Sequence, residues 1–141
     1  MIEIIKFYLE MGLEHVLDPN GYDHVLFFAA LVLPFALKRM LQAVYLASVF
    51  TIAHCISLAL SAFDVATVNP ALIEFLIPLS ILLLLAMNIK NALRRTVAAT
   101  GVLAYGSTAL FGLIHGFGFS NYFKILMAGQ ENKATALLGF A

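Results

Sequence analysis

Four apolar stretches dominate this chain: residues 22–37, 41–63, 71–89 and 97–114. About 20 apolar residues cross a bilayer as a helix, and each stretch reaches or approaches that length. A fifth run begins at Ala134, so 134–141 reads as the start of a further helix and the 141-residue chain as a fragment. Only 11% of the residues are charged, too few to cover a water-soluble globule, where about a quarter is usual. The expected fold is therefore an all-α integral membrane protein in one domain over 1–141. It comprises an amphipathic amino-terminal helix, four transmembrane helices and the start of a fifth. A net charge of zero gives no footprint for nucleic acid. The lone Cys55 excludes a disulfide framework and a four-cysteine zinc site.

Residues 1–18 differ from the spans. Glu3, Lys6, Glu10 and Glu14 recur every three or four residues, which puts them on one helical stripe. This predicts a helix lying at the interface, with Lys6 and Glu10 able to pair across one turn. No basic cluster or small-residue cleavage site marks a signal peptide, so the amino terminus is expected to be retained. Asp18-Pro19-Asn20-Gly21 is a turn by composition, and Asn69-Pro70 a cap followed by a first-turn proline. The loops with Lys38 and Arg39 and with Lys90, Arg94 and Arg95 hold no acid and should face the cytoplasm. Glu3, Glu10, Glu14, Asp18, Asp23, Asp64 and Glu131 fall on the other side, which places the amino terminus outside.

Ionisable residues inside spans are costly and point to function. Here they are Asp23 and His24 at the start of the first span, His54 in the second, Glu74 in the third and His115 at the end of the fourth. His15 precedes the first. Counted at 1.5 Å per residue, His54 lies roughly 14 Å below the outer end of its span. Glu74 is one turn inside, and His115 is read at the outer mouth, with Gly116-Phe117-Gly118 breaking the helix behind it. All therefore fall in the outer half of the membrane. Imidazoles with carboxylates suit a divalent transition metal such as nickel, cobalt or zinc. Such binding requires neutral histidine and weakens in acid.

Each residue also has a plainer role open to it. A histidine in a span can pair helices. Asp23 can cap its helix, and Glu74 suits the first turn of one. Thr51, Ser57 and Ser61 flank His54 and either line an ion path or bond to backbone carbonyls. Asn88 and Asn91 read as caps, and Gly112-Leu-Ile-His-Gly116 as a close-packing pattern. Convergence of several such residues in the outer half of the membrane favours the metal reading.

Several segments resemble the HupE/UreJ family of bacterial membrane proteins. They are Gly12-Leu-Glu-His15 through Gly21-Tyr-Asp23-His24-Val-Leu-Phe27, Phe50-Thr-Ile-Ala-His54-Cys-Ile-Ser57-Leu, Val68-Asn-Pro-Ala-Leu-Ile-Glu74-Phe-Leu-Ile-Pro78 and Phe111-Gly-Leu-Ile-His115-Gly-Phe-Gly-Phe-Ser120. The resemblance runs from about Gly12 to Phe140. It implies secondary transport of nickel or cobalt across the inner membrane, linked to hydrogenase and urease maturation. It puts His15, Asp23, His24, His54, Glu74 and His115 in the polar pathway. Members of that family continue beyond this segment with a Gly-x-Glu element. The spacing from His15 to Asp23-His24 is longer than the compact signature of other nickel–cobalt permeases, so metal identity does not carry over.

The leading expectation is a permease for a divalent transition metal, working with the lipid bilayer and the ion, with a homo-oligomer plausible. An intramembrane zinc-dependent hydrolase is the runner-up, but Ser107 has no nucleophile frame around it. An accessory structural subunit is the third reading.

Overall fold

A computed structural model describes residues 2–18, 21–35, 39–95, 101–128 and 133–140. Pro19 and Asn20 of the expected turn, Lys38, residues 97–100 of the expected fourth span, and Glu131 lie outside these. Six helices follow one another: α1 (Ile2–Leu17), α2 (Asp23–Val32), α3 (Met40–Ala62), α4 (Pro70–Leu93), α5 (Val102–Met127) and α6 (Lys133–Phe140). Every described element is helical, as the apolar runs demand: in lipid a helix satisfies its own backbone.

Among the described residues, three helices are long and apolar enough to cross a membrane: Met40–Ala62, Pro70–Leu93 and Val102–Ile125. The expected span over 22–37 is not among them, and its residues 36 and 37 lie outside the described ones. Its helix has only ten residues, about 15 Å, or half the hydrocarbon thickness. Pro34 explains why. It has no N–H to give the Ala30 carbonyl, its partner one turn back. The Asn88 side chain of α4 donates to that carbonyl instead, at 2.6 Å. Asn88 is thus an interhelical tie rather than a cap on its own helix.

The fourth expected span forms a membrane-length helix, but the expected break behind His115 is corrected. Gly116 and Gly118 do not break it, because α5 continues to Met127 and leaves His115 near its middle. The glycines serve packing. A Cβ on Gly112 would meet the Phe50 carbonyl and the Ala53 side chain, and one on Gly116 the His54 carbonyl and Ser57 hydroxyl. Both contacts carry the same offset, 112 − 50 = 62 and 116 − 54 = 62, so α3 and α5 run in parallel, backbone against backbone. At one end of this pair the Lys124 ammonium donates to the Asp64 carboxylate at 2.7 Å. At the other stand Arg39 and Arg94, the N-cap of α3 and the C-cap of α4.

α4 begins as expected, with Pro70 at its first position and the Asn69 side chain accepting from the Ala71 amide at 3.0 Å. α1 turns Tyr8, Gly12 and His15 inward, spaced by four and three. Lys6 and Glu10 pair at 3.8 Å on its exposed side. Most of the expected 134–141 run lies in α6, eight residues packed against α1 with Ala136 buried. Gly12 lies against the Phe140 carbonyl, and Gly139 against Ile5 and Tyr8.

Two apolar clusters result. One joins Tyr8, Leu58, Ala62, Phe123, Ala136 and Phe140 near the Asp64 end. The other joins Phe27, Leu31, Phe35, Ala43, Leu46, Phe50 and Ile81 toward the Arg39 end. The histidines lie between them.

Candidate metal centre

Four helices bring four imidazoles together. His15 comes from the last turn of α1, His24 from the first turn of α2, His54 from α3 and His115 from α5. Ring centroids are 4.8 Å apart for His15–His24, 5.2 Å for His24–His54, 6.3 Å for His15–His54 and 5.6 Å for His24–His115. One nitrogen from each of His15, His24 and His54 lies within 4.8 Å of the others. Nitrogens around a tetrahedral ion at 2.0–2.1 Å stand roughly 3.4 Å apart, so the three would have to draw closer to share one ion. His115 is the fourth imidazole, beside the triad.

All four Nε2 atoms are buried and have no hydrogen-bond partner among the described residues. An orphaned buried polar atom costs on the order of 1–3 kcal/mol. Four in one place are hard to reconcile with helix pairing alone, in which each ring would find a donor or acceptor. They suit a site whose partner is a cation.

The tautomers support this. His24 Nδ1 donates to Asp23 Oδ1 at 3.2 Å, and His115 Nδ1 donates to the Phe111 carbonyl at 2.8 Å. An ionised carboxylate and a carbonyl only accept, so each ring carries its proton on Nδ1 and leaves the Nε2 lone pair bare. This arrangement, a ligand imidazole oriented by an acceptor behind it, is common around metals. Phe119 packs 3.8 Å and Phe140 5.8 Å from the His15 ring, centroid to centroid. Burial, reinforced by the neighbouring His24, pushes the His15 imidazole down to about 4. It is neutral, as a ligand must be, at physiological pH.

A vestibule of about 840 Å³ opens onto the cluster, far larger than the ~30 Å³ of one water. His15, His24 and His115 line it, together with Glu14, Asp18, Asp23 and Glu74. Those four carboxylates face no lysine or arginine among the lining residues. Such a mouth concentrates cations.

The structure thus gathers all six residues singled out from the sequence, in three settings. His15, His24 and His54 form the triad, with His115 adjoining. Asp23 stands behind His24. Glu74 is exposed at the vestibule, in the second turn of α4. The hydroxyls beside His54 bond to backbone: Ser57 to the His54 carbonyl at 2.9 Å and Thr51 to the Ala47 carbonyl at 3.0 Å. Sequence reasoning missed Phe119 and Phe140 as the packing around His15. Their aromatic character gave no signal in a chain with 12 phenylalanines.

Apolar helices of membrane length around a buried group of histidines that could hold a metal ion define the class, a helical membrane protein. The chain belongs to the HupE/UreJ family: the family described as HupE / UreJ protein matches residues 1–141, its whole length. Neither curated proteins nor solved structures give a match.

Proposed function

We propose that the protein is a secondary permease for a divalent transition metal of the nickel or cobalt class, not an enzyme, in a bacterial inner membrane with its amino terminus outside. The observation that carries this reading is the set of four buried Nε2 atoms without hydrogen-bond partners among the described residues, on histidines of which three line an acid-lined vestibule. Membership of the HupE/UreJ family supports it, through the association of that family with nickel and cobalt uptake.

Glu14, Asp18 and Glu74 draw the hydrated ion into the vestibule. His24, oriented by Asp23, takes it up with His15 and His54, and His115 completes the donor set. Imidazole exchanges for water at such ions, and neutral rings leave the net charge of the ion to be balanced by Asp23. Release requires weakening of this set, which a movement of one contributing helix accomplishes. The orientation follows the basic loops, with the Arg39 and Arg94 end in the cytoplasm.

Uptake of nickel or cobalt into proteoliposomes tests the proposal. Wild-type protein should accumulate the ion, and His24→Ala, His54→Ala and His115→Ala should each abolish accumulation. Undiminished uptake by all three variants contradicts it.

A further inference from the structure

The histidine cluster has a vestibule on one side and a wall of aromatic rings on the other. Phe27 and Phe50 stack with centroids 4.4 Å apart, and Phe111 meets Phe27 edge-on at 6.1 Å. His115 lies 5.2 Å from both Phe27 and Phe50, so this layer adjoins the imidazoles directly. Phe27 and Phe50 are fully buried.

Beyond the layer, toward the Arg39 end, is a second cavity of about 50 Å³, room for an ion or a water or two. Phe111 lines it, as do Asn88, Asn91, Ser107 and Thr108. Thr108 is buried. Asn88 spends its amide N–H on Ala30, which leaves its Oδ1 as an acceptor. Amide and hydroxyl oxygens hold a nickel- or cobalt-class ion more weakly than imidazole does. A weak station after a tight one is what permits an ion to leave.

We propose that Phe27, Phe50 and Phe111 form the inner gate of the permeation path, and that the cavity around Thr108 is the station reached when it opens. The proposal rests on the permease reading. The moving leaf is Phe27. Phe50 and Phe111 ride on α3 and α5, whose backbones are in contact at Gly112 and Gly116 and leave no slack. Phe27 rides on α2, a ten-residue helix ended by Pro34. His24 is one turn before Phe27 on the same face of α2. A displacement of α2 that withdraws Phe27 therefore also withdraws His24 from the triad, coupling release of the ion to opening of the gate.

Cysteine accessibility tests this in a Cys55→Ala background carrying Thr108→Cys, reconstituted and labelled with a membrane-impermeant maleimide from either face. Labelling is expected from the face bearing Arg39 and Arg94, with protection from the vestibule face. Adding Phe27→Ala should make Thr108→Cys reactive from both faces. Phe111→Leu, at a half-buried position, provides the same comparison should Phe27→Ala not fold, as judged by size-exclusion chromatography. Reactivity from the vestibule face with the gate intact overturns the proposal, as does no reactivity from either face once the gate is opened. Nickel retention by the same Thr108→Cys protein separates the two readings. Retention without the labelling pattern overturns the gate alone, whereas the labelling pattern without retention overturns the metal site and leaves the gate geometry standing.

Discussion

His24 Nδ1 lies 3.2 Å from Asp23 Oδ1, and the same oxygen accepts the His24 backbone N–H at 2.9 Å. One carboxylate thus fixes both the backbone and the ring of its neighbour at the start of α2. The ring presents Nε2 to His15 and His54. Asp23→Asn keeps the size of the side chain but loses the charge that holds the ring proton on Nδ1. It should weaken metal binding by about 10–100-fold. Competition titration of the purified protein with a chromogenic chelator measures this. Unchanged affinity contradicts the role assigned to Asp23.

The contact between α3 and α5 makes a stability prediction. Gly116→Ala puts a methyl group onto the His54 carbonyl and Ser57, and Gly112→Ala one onto the Phe50 carbonyl. Overpacking of this kind costs about 1–3 kcal/mol. Gly106→Ala, where a Cβ meets nothing within 4 Å, should be neutral or slightly stabilising. Thermal unfolding in detergent should show a lower midpoint for the first two variants only.

Asn88 and Pro34 should be energetically coupled through the Ala30 carbonyl. Asn88→Ala orphans that carbonyl, at a cost on the order of 1–3 kcal/mol. Pro34→Ala restores the backbone N–H that could satisfy it. Asn88→Ala should therefore cost less in a Pro34→Ala background than alone, as a double-mutant cycle on detergent unfolding reveals. Equal costs in the two backgrounds contradict the tie.

His15 predicts a pH dependence. Its imidazole titrates at about 4 in the folded protein against 6.5 when unperturbed, because burial opposes its charging. Between these values the unfolded chain binds more protons, so stability falls as pH drops through that window and levels off below it. His15→Gln cannot gain that proton and should show a shallower slope from pH 6.5 to 4. Identical slopes for the two proteins contradict the burial of His15.

Much of the site was legible in the sequence because a charged or imidazole side chain in an apolar run is conspicuous. Counting residues puts His24, His54 and His115 in the outer half of the membrane, and His24 does meet both of the others. The count placed His115 wrongly on its helix, however. Whether Gly116 breaks a helix or lets another approach depends on α3, which is 62 residues away in sequence. Pro34 was visible in the first apolar run, but the tie from Asn88 that settles the end of α2 is a long-range contact. Likewise, the charged stripe of α1 predicts an interfacial helix. Its inward stripe of Tyr8, Gly12 and His15 became apparent only through α6, which docks against it from the far end of the chain.

Metal content is the most direct test of the account. Purified protein in detergent would be loaded with nickel, cobalt and zinc together, washed, and measured by plasma mass spectrometry beside His54→Ala. One transition-metal ion per chain is expected in the wild type, and its loss in the variant. Equal metal in both proteins, or none in either, would contradict a metal centre built on His15, His24 and His54.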